Sequence, residues 1–133
     1  MRILVDTGVF SASLSRRRRA RFETAVGLMA GQQIFLAAVT VSELRYGALV
    51  AGWGDIRRER LEQTIKAATV VPVSDKLLTT AAELRHACRL VGHPLNDRSH
   101  ANDLWIAASA IHIRVPLLTA DHVFEDTPGL ALH

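Results

Sequence analysis

The chain has 133 residues, of which 49% are hydrophobic and 22% are charged, with a formal net charge of +3 and a pI of about 9.7. This balance excludes a disordered chain, and the absence of a repeated segment excludes a solenoid, so we expect one domain over residues 1–133. Cys88 is the single cysteine, which excludes an intrachain disulfide and a zinc site made of cysteines. Asp6 interrupts the apolar start of the chain, and no apolar stretch is long enough to span a membrane. We therefore expect no signal peptide, no membrane contact and a cytoplasmic location.

Strands and helices are predicted to alternate along the first half of the chain. Short apolar runs predict strands, and apolar residues spaced by three and four predict helices. The predicted elements are, in order, a strand at 2–5, a helix at 16–30, a strand at 34–37 and a helix that begins at the capping-box pattern Thr40–Glu43.

The same alternation continues through the second half. The predicted elements are a helix at 55–68, a strand at 69–73, a helix at 76–91, a polar loop at 95–102, a helix that opens at Asp103, a strand at 116–119 and a short apolar segment at 130–132 that could add a fifth strand. Cys88 falls on the apolar stripe of its helix, so we interpret it as a core residue rather than a nucleophile. Apolar strands that alternate with helices are typical of a parallel sheet covered on both faces. We predict a three-layer α/β/α domain with four or five parallel strands and right-handed connections.

Four acidic residues fall close to the predicted carboxyl ends of these strands, namely Asp6, Glu43, Asp103 and Asp121. Ligands bind beyond the carboxyl ends of the strands in open α/β sheets, so we expect the four carboxylates to converge in one crevice. Taken singly, each has a structural explanation. These explanations are a helix cap for Asp6, a capping box for Glu43, a helix-dipole contact for Asp103 and an Asx turn for Asp121.

Taken together, four carboxylates in one crevice require a compensating cation. Oxygen donors without a His or Cys cluster suit Mg²⁺ or Mn²⁺. Such a site could polarise a phosphodiester, activate water and stabilise the leaving oxygen. The spacing of the acids does not decide between one ion and two.

Arginine supplies most of the positive charge, because only Lys66 and Lys76 are lysines. The densest run is Arg16–Arg19, which Arg21 extends. Guanidinium groups match phosphate geometry, so beside a phosphodiester-cleaving site this run predicts contact with RNA. Considered alone, the run is typical of a solvated helix start.

Other kinds of site receive less support from the sequence. The histidines show no metal-binding spacing, and we interpret them all as surface or loop residues: His86, His93, His100, His112, His122 and His133. His100 and Asp97 are near Asp103 in the chain, but we favour positions outside the site for both. No serine-nucleophile turn and no glycine-rich phosphate loop is present, so use of ATP or NAD is unsupported.

Three alternative interpretations of the first acid were weighed. Asp6-Thr7-Gly8 matches the aspartic-protease triplet, but that site needs two such loops in a mostly β fold, so we reject it. A phosphotransferase of the haloacid dehalogenase type needs a second Asp where this chain has Gly8. A non-catalytic RNA- or protein-binding module on the same fold remains, and we would expect it to have lost at least one of the four acids.

Four motifs resemble, in order and spacing, the PIN-domain family and its VapC-type toxins of bacterial toxin–antitoxin pairs: V-D-T-G-V-F, V-S-E-L-R-Y-G, N-D-L-W-I-A-A-S-A and L-L-T-A-D-H-V-F. The resemblance extends from Leu4 to about Leu130. It implies a Rossmann-like α/β/α domain and an endoribonuclease that depends on Mg²⁺ or Mn²⁺. It also implies a homodimer or larger toxin–antitoxin assembly, and a VapB-type antitoxin whose C-terminal segment blocks the active site. Among the RNAs that such enzymes cut, tRNA is our preferred target.

The resemblance also implies roles for individual residues. The family's catalytic and metal-binding acids correspond to Asp6, Glu43, Asp103 and Asp121. Thr119 matches a Ser or Thr that accompanies the last acid and could orient a ligand or water. Arg45 and Tyr46 match a helix beside the site, so Arg45 joins Arg16–Arg19 as a predicted RNA-binding residue. Gly8 is a departure, because the family usually has Asn or Ser there, and a polar partner of the site is missing.

Overall fold

Four short parallel strands form the centre of the computed structural model, which describes every residue from Met1 to His133. They are β1 (Arg2–Val5), β2 (Gln33–Ala37), β3 (Thr69–Val71) and β4 (Leu117–Leu118), arranged in the order β3-β2-β1-β4. Every neighbouring pair is parallel. The parallel sheet predicted from the apolar strands is therefore confirmed.

Seven α-helices connect and cover the strands. They are α1 (Thr7–Ser13), α2 (Arg16–Arg21), α3 (Glu23–Gly27), α4 (Ala38–Val50), α5 (Asp55–Ala67), α6 (Asp75–Val91) and α7 (Ala101–Ile113). Short 3-10 helices form at Pro94–Asn96, Arg98–His100 and His122–Phe124. None of the helices has both the length and the apolar character needed to cross a lipid bilayer.

The alternation of side chains along β1 divides the core into two layers. Ile3 and Val5 belong to a cluster of 13 buried residues that includes side chains of α1, α4 and α5. Leu4 belongs to a cluster of 16 buried residues, including Cys88, that α6 and α7 help to form. Helices therefore cover both faces of the sheet, and the predicted three-layer α/β/α fold is confirmed.

The helix predicted at 16–30 is wrong, because two helices form there. α2 ends and α3 begins at Phe22, whose φ of −117° and ψ of 26° are not helical. α2 buries none of its residues, whereas Val26 of α3 lies in the core with 5% of its surface exposed. The break lets α3 turn its apolar side toward the sheet, while the mutually repelling arginines of α2 stay in solvent.

A helix that the sequence patterns do not predict, α1, follows β1 directly. Its first turn is capped by Asp6, whose side chain accepts a hydrogen bond from the N–H of Val9. Val9, Phe10 and Ala12 are buried against the sheet. Capping and burial together stabilise seven residues that include the poor helix former Gly8.

The sheet is smaller than predicted in three places. β4 forms only at Leu117–Leu118 rather than at 116–119. β3 ends at Val71, because the next residue, Pro72, has no N–H to donate to a neighbouring strand. At 130–132 the chain forms only a single bridge, between Leu117 and Leu132, so the fifth strand does not form.

His93 corrects the assignment of all histidines to the surface, because only 8% of its surface is exposed. Its Nε2 lies 2.8 Å from the carbonyl oxygen of Glu125, and its Nδ1 accepts from the N–H of Leu95 at 3.1 Å. A ring that donates on one side and accepts on the other joins the end of α6 to the C-terminal segment. Its role is structural.

Candidate active site

Asp6 and Asp121 lie at one edge of the sheet. Asp6 follows β1 directly and Asp121 follows β4, and these two strands are parallel neighbours, so their carboxyl ends meet. Each carboxylate also caps the helix that comes next. Asp6 Oδ1 accepts from the N–H of Val9 at 2.8 Å, and Asp121 Oδ1 accepts from the N–H of Val123 at 3.0 Å.

Glu43 and Asp103 approach the same edge on helices. α4 starts immediately after β2 and carries Glu43 in its second turn, while Asp103 lies in the first turn of α7. All four acids line one cleft of about 520 Å³. No lysine or arginine lines this cleft, and His122 is the one basic side chain among its lining residues.

Thr119 links the two acids at the sheet edge. Its hydroxyl donates to Oδ2 of Asp6 and accepts from the backbone N–H of Asp121 at 3.0 Å. The position predicted to accompany the last acid therefore contacts the first acid as well. This contact holds the Asp6 carboxylate in one orientation at the mouth of the cleft.

Asp6 is the only one of the four acids that is buried, with 6% of its surface exposed. Burial raises the pKa of Asp6 above its ordinary value of 3.8, because a charged carboxylate is poorly solvated there. The hydrogen bonds from Thr119 and Val9 lower the pKa, and the negative charges of Asp121 and Asp103 raise it. Ionisation of Asp6 is therefore less favourable in the folded protein than in a free carboxyl group.

Glu43 is held by a threonine that precedes it by 36 residues. The hydroxyl of Thr7 donates to Oε1 of Glu43 at 2.7 Å. A second hydroxyl, that of Thr40, lies 3.0 Å from Thr7. Because a carboxylate only accepts and a hydroxyl has one proton to donate, Thr7 donates to Glu43 and Thr40 donates to Thr7.

The capping-box explanation for Glu43 is wrong. α4 begins at Ala38 rather than after Thr40, its N-cap is Ala37, and no side chain caps it. Glu43 therefore has no role at the helix terminus. The structural explanation remains available for the other three acids, which cap or begin helices as well as facing the cleft.

His100 contacts Asp103, so its predicted position outside the site is wrong. Nδ1 of His100 lies 3.1 Å from Oδ2 of Asp103, and the two side chains are 35% and 30% exposed. The 3-10 helix Arg98–His100 brings the imidazole over the first turn of α7. Asp97 instead caps that 3-10 helix by accepting from the N–H of Ser99, and it does not line the cleft.

The donors in the cleft suit a hard divalent cation, since all four acids offer oxygen. Glu43 Oε2, Asp103 Oδ1 and Asp121 Oδ2 make no hydrogen bond within the protein and are available to a ligand. In their present positions, no three His, Cys, Asp or Glu side chains are close enough together to hold one ion. The chemistry of the donor atoms therefore fits a metal, but in these positions the acids are too far apart to share one ion.

Residues 3–130 match the family model described as PIN domain. The chain belongs to the PIN-domain family.

Individual relatives of this PIN domain are also recognisable. The chain is 32% identical over 130 residues to Ribonuclease VapC5 of Mycobacterium tuberculosis, covering 96% of this chain and 89% of that protein. It is 29% identical over 125 residues to Toxin FitB of Neisseria gonorrhoeae, covering 90% of this chain and 87% of that protein. The crystal structure of VapBC2 from Rickettsia felis bound to a promoter DNA fragment superimposes with a TM-score of 0.79 and 21% identity. That match covers 100% of this chain and 98% of the other, and it shows a shared fold.

The arginines predicted to bind RNA do not all lie near the cleft of the PIN domain. Of Arg16–Arg19, only Arg18 lines a groove beside the cleft, which Arg21 and Tyr46 also line. Arg45 lies outside both cavities, and it pairs with Glu62 at 2.6 Å on another part of the surface. The position of Arg45 gives no support to a role in RNA binding.

Sequence reasoning overlooked three residues at the PIN-domain site. Thr7 holds Glu43, and its place directly after Asp6 is the one signal in the sequence that points to it. Phe22 and His122 also line the cleft, and no pattern in the chain identifies them. The hydrogen bond between His122 Nδ1 and Glu125, 2.8 Å long, raises the pKa of His122.

Gly8 leaves room for the side chain that the family usually has there. A Cβ atom added to Gly8 would meet only Oδ1 of Asp6, at 3.8 Å, which is an ordinary contact distance. The missing polar group is therefore not excluded by crowding. Gly8 lines both the cleft and the neighbouring groove.

Proposed function

We propose that this PIN domain is a metal-dependent endoribonuclease and the toxin of a VapBC-type toxin–antitoxin pair. The observation that carries the proposal is the cleft in which four carboxylates from four segments meet without a lysine or arginine. A non-catalytic binding module has no need of the repulsion that helps to raise the pKa of Asp6. Similarity to one relative named a ribonuclease and another named a toxin supports the activity and the role.

Mg²⁺ or Mn²⁺ would be held by Asp6, Glu43, Asp103 and Asp121. When bound, such an ion supplies charge that stabilises the leaving oxygen and lowers the pKa of an attacking water. Since no three of the present side chains are close enough to share an ion, we expect them to converge by side-chain rotation when the site is filled.

Three neighbouring side chains would orient these ligands. Thr119 holds Asp6, Thr7 holds Glu43, and His100 holds Asp103, each through one carboxylate oxygen. The partners of metal ligands fix ligand orientation and contribute to metal affinity. In this proposal Thr7, Thr119 and His100 act through the acids rather than on the RNA.

A cognate VapB-type antitoxin, a homodimeric or larger assembly and a cytoplasmic location complete the proposal. The family resemblance and the relative named a toxin support the antitoxin partner. Among RNAs, tRNA is the first substrate to test. The arrangement of the acids does not give the number of metal ions, which titration of the protein with Mg²⁺ or Mn²⁺ would measure.

The proposal is tested with purified protein free of antitoxin. It should cut RNA in Mg²⁺ or Mn²⁺, stop in EDTA, and recover when the metal is restored. Mapping of 5′ ends after brief expression without antitoxin should reveal discrete cuts, and tRNA should be among the targets. Cuts confined to another RNA would change the substrate, whereas no cleavage of any cellular RNA with either metal would contradict the proposed function.

A further inference from the structure

A second cavity next to the acidic cleft, the side pocket, has a volume of about 450 Å³ and is lined by residues of α2, α3 and the end of β4. Phe22 and Ala120 line both the cleft and the side pocket, so the two cavities adjoin. Thr119, whose hydroxyl holds Asp6, lines the side pocket as well. A nucleotide with its phosphate in the cleft can therefore place its base in the side pocket.

Apolar side chains supply much of the surface of the side pocket. Leu118 is only 1% exposed, and Ala25 and Leu28 line the pocket together with Phe22. Unpaired bases in RNA are recognised by stacking on aromatic and apolar side chains, so this surface suits the flat face of a base. The volume falls within the range of about 300–1,000 Å³ typical of small-ligand sites, which accommodates one base rather than a duplex.

Two opposite charges line the side pocket without neutralising each other. Arg21 and Glu23 flank Phe22 in the sequence, at the break between α2 and α3. Neither takes part in any of the chain's ion pairs. The guanidinium of Arg21 instead lies 5.8 Å from the centroid of the Phe22 ring. A guanidinium fork and a carboxylate are therefore both available to one ligand.

Guanine is the base that complements this pair of charges. Its O6 and N7 are adjacent acceptors, which an arginine fork meets with two N–H donors. Its N1–H and its N2 amino group are adjacent donors, which the two oxygens of a carboxylate accept. Adenine and cytosine place a ring acceptor beside their amino group and would turn a lone pair toward the carboxylate. Uracil has neither an amino group nor an N7 atom.

We propose that the side pocket binds an unpaired guanine base next to the scissile phosphate of the RNA. Arg21 donates to O6 and N7, Glu23 accepts from N1 and N2, and the apolar side chains contact the face of the ring. The base is unpaired because Glu23 occupies its Watson–Crick edge. This assignment rests on the proposed ribonuclease function and adds to it a base preference at the cleavage site.

The test is equilibrium binding of short labelled oligouridines that differ in one central nucleotide, measured by fluorescence anisotropy in EDTA, where cleavage does not interfere. The wild type should bind the RNA with guanosine about 5- to 150-fold more tightly than those with adenosine, cytidine or uridine, the range for one bidentate base contact. Inosine lacks the amino group that faces Glu23, and 7-deazaguanosine lacks the N7 atom that faces Arg21. Each should lose much of the preference.

Two conservative variants connect each edge of the base to one side chain. Glu23→Gln should reduce the difference in affinity between guanosine and inosine. Arg21→Lys keeps the charge but loses the fork, so it should reduce the difference between guanosine and 7-deazaguanosine. A general loss of RNA affinity would instead weaken all the RNAs together. The matched controls, Glu83→Gln and Arg17→Lys, lie outside the side pocket and should keep the full preference for guanosine.

Three results would overturn the assignment. The first is no measurable binding, or equal affinity of the wild type for the four bases. The second is a preference for a base other than guanine. The third is a preference for guanine that survives in both Glu23→Gln and Arg21→Lys, because another part of the protein would then read the base.

Cleavage is measured separately, so that the two proposals fail separately. Cuts mapped by their 5′ ends should have guanine next to the scissile bond. Wild-type protein that prefers guanosine through Arg21 and Glu23 but cuts no RNA in Mg²⁺ or Mn²⁺ contradicts the proposed function and leaves the assignment of the side pocket intact. Wild-type protein that cuts RNA but binds the four bases equally contradicts the assignment of the side pocket alone.

Discussion

The acidic cleft and the groove beside it share four lining residues but differ in charge and in origin. The cleft is lined by four acids and no arginine, and the groove is lined by three arginines and one acid. Loops at the strand ends supply half of the acids, whereas the arginines come from exposed helix faces. Carboxylates that attract a metal ion repel a phosphodiester, so a neighbouring positive surface is needed to bring the RNA to them.

The two regions also differ in how firmly their side chains are held. Each acid in the cleft has a hydrogen-bonding partner in the protein, and three of those partners are side chains: Thr7, His100 and Thr119. In the groove, one arginine is anchored by a hydrogen bond, that of Arg18 to Ser11. Chemistry requires fixed positions, whereas binding of single strands tolerates movable ones. Substitutions in the cleft and the groove should therefore have separable effects.

The largest expected effect is that of Asp103→Asn. Losing one carboxylate from the cleft should lower the cleavage rate by about 10²–10³-fold, the size typical of a lost group that acts on reacting charge. RNA affinity in EDTA should stay unchanged or rise slightly, because one repelling charge is removed. The control is Glu83→Gln on the exposed side of α6, which should cut RNA at the wild-type rate. If Asp103→Asn cut RNA as fast as the wild type, Asp103 would have no role in cleavage, and the contrast between cleft and groove would be wrong.

Thr119→Val should have the next largest effect. It removes the hydroxyl that orients Asp6 and keeps the shape of the side chain. Removing such a partner of a metal ligand typically costs about 10–100-fold in metal affinity or activity. The concentration of Mn²⁺ needed for half-maximal cleavage should therefore rise, with RNA affinity unaffected.

Thr119→Ser is the matched control for that prediction, because it restores a hydroxyl at the same place. It should recover most of the metal affinity lost in Thr119→Val. If serine fails to recover it, the side chain acts through packing rather than through its hydrogen bond to Asp6.

Asp6→Asn should stabilise the protein in EDTA, although it should lower the cleavage rate as Asp103→Asn does. Because the folded-state pKa of Asp6 is raised, the wild-type protein loses stability as the pH rises through that pKa and Asp6 ionises. Asparagine avoids this cost, so the melting temperature of Asp6→Asn should exceed that of the wild type near neutral pH. Thermal unfolding at a series of pH values measures the difference.

The difference between Asp6→Asn and wild type should vanish as the pH falls below the ordinary carboxyl pKa of 3.8, because Asp6 is then protonated in both the folded and the unfolded state. If Asp6→Asn were less stable than the wild type at neutral pH, the hydrogen bonds from Thr119 and Val9 would already compensate the ionised Asp6 carboxylate. Added Mn²⁺ should stabilise the wild type and not the variant.

Gly8→Ser is expected to have the smallest effect. Serine is the better helix former by about 0.5 kcal/mol, and its Cβ has room, so the melting temperature should rise by about 1–3 °C. Cleavage should change only a few-fold, because the junction between cleft and groove narrows slightly. Gly27→Ser, in the open surroundings of α3, is the control that should stabilise without touching cleavage. A less stable Gly8→Ser variant would show that the junction is already filled.

The sheet and the four acids were predictable because both depend on simple rules. Apolar strands such as Ile3–Val5 must be buried on both faces, and residues after parallel strands share one edge. Asp6 and Asp121 follow adjacent strands, so their proximity requires only the topology. The ends of helices and the shortest elements depend on local conformational preferences that are weak. The sequence patterns therefore did not predict α1 or the break at Phe22.

The side-chain contacts inside the site could not be predicted in the same way. Thr7 meets Glu43 across 36 residues of chain, and that contact depends on how α1 lies against α4. The arginines are similar, since Arg18 and Arg21 line the groove while Arg17, on the same helix, does not. Tertiary packing, which no local pattern records, selects among chemically equal residues.

The central claim is that the acids of the cleft together bind a divalent cation, and calorimetric titration of the apo protein with Mn²⁺ tests it most directly. Wild type should bind Mn²⁺ with a defined stoichiometry, Asp6→Asn and Asp103→Asn should each bind much more weakly, and Glu83→Gln should bind as wild type does. Arg57→Ala should leave Mn²⁺ binding unchanged, since Arg57 does not line the cleft. Unaltered Mn²⁺ affinity in both Asp6→Asn and Asp103→Asn would contradict the account.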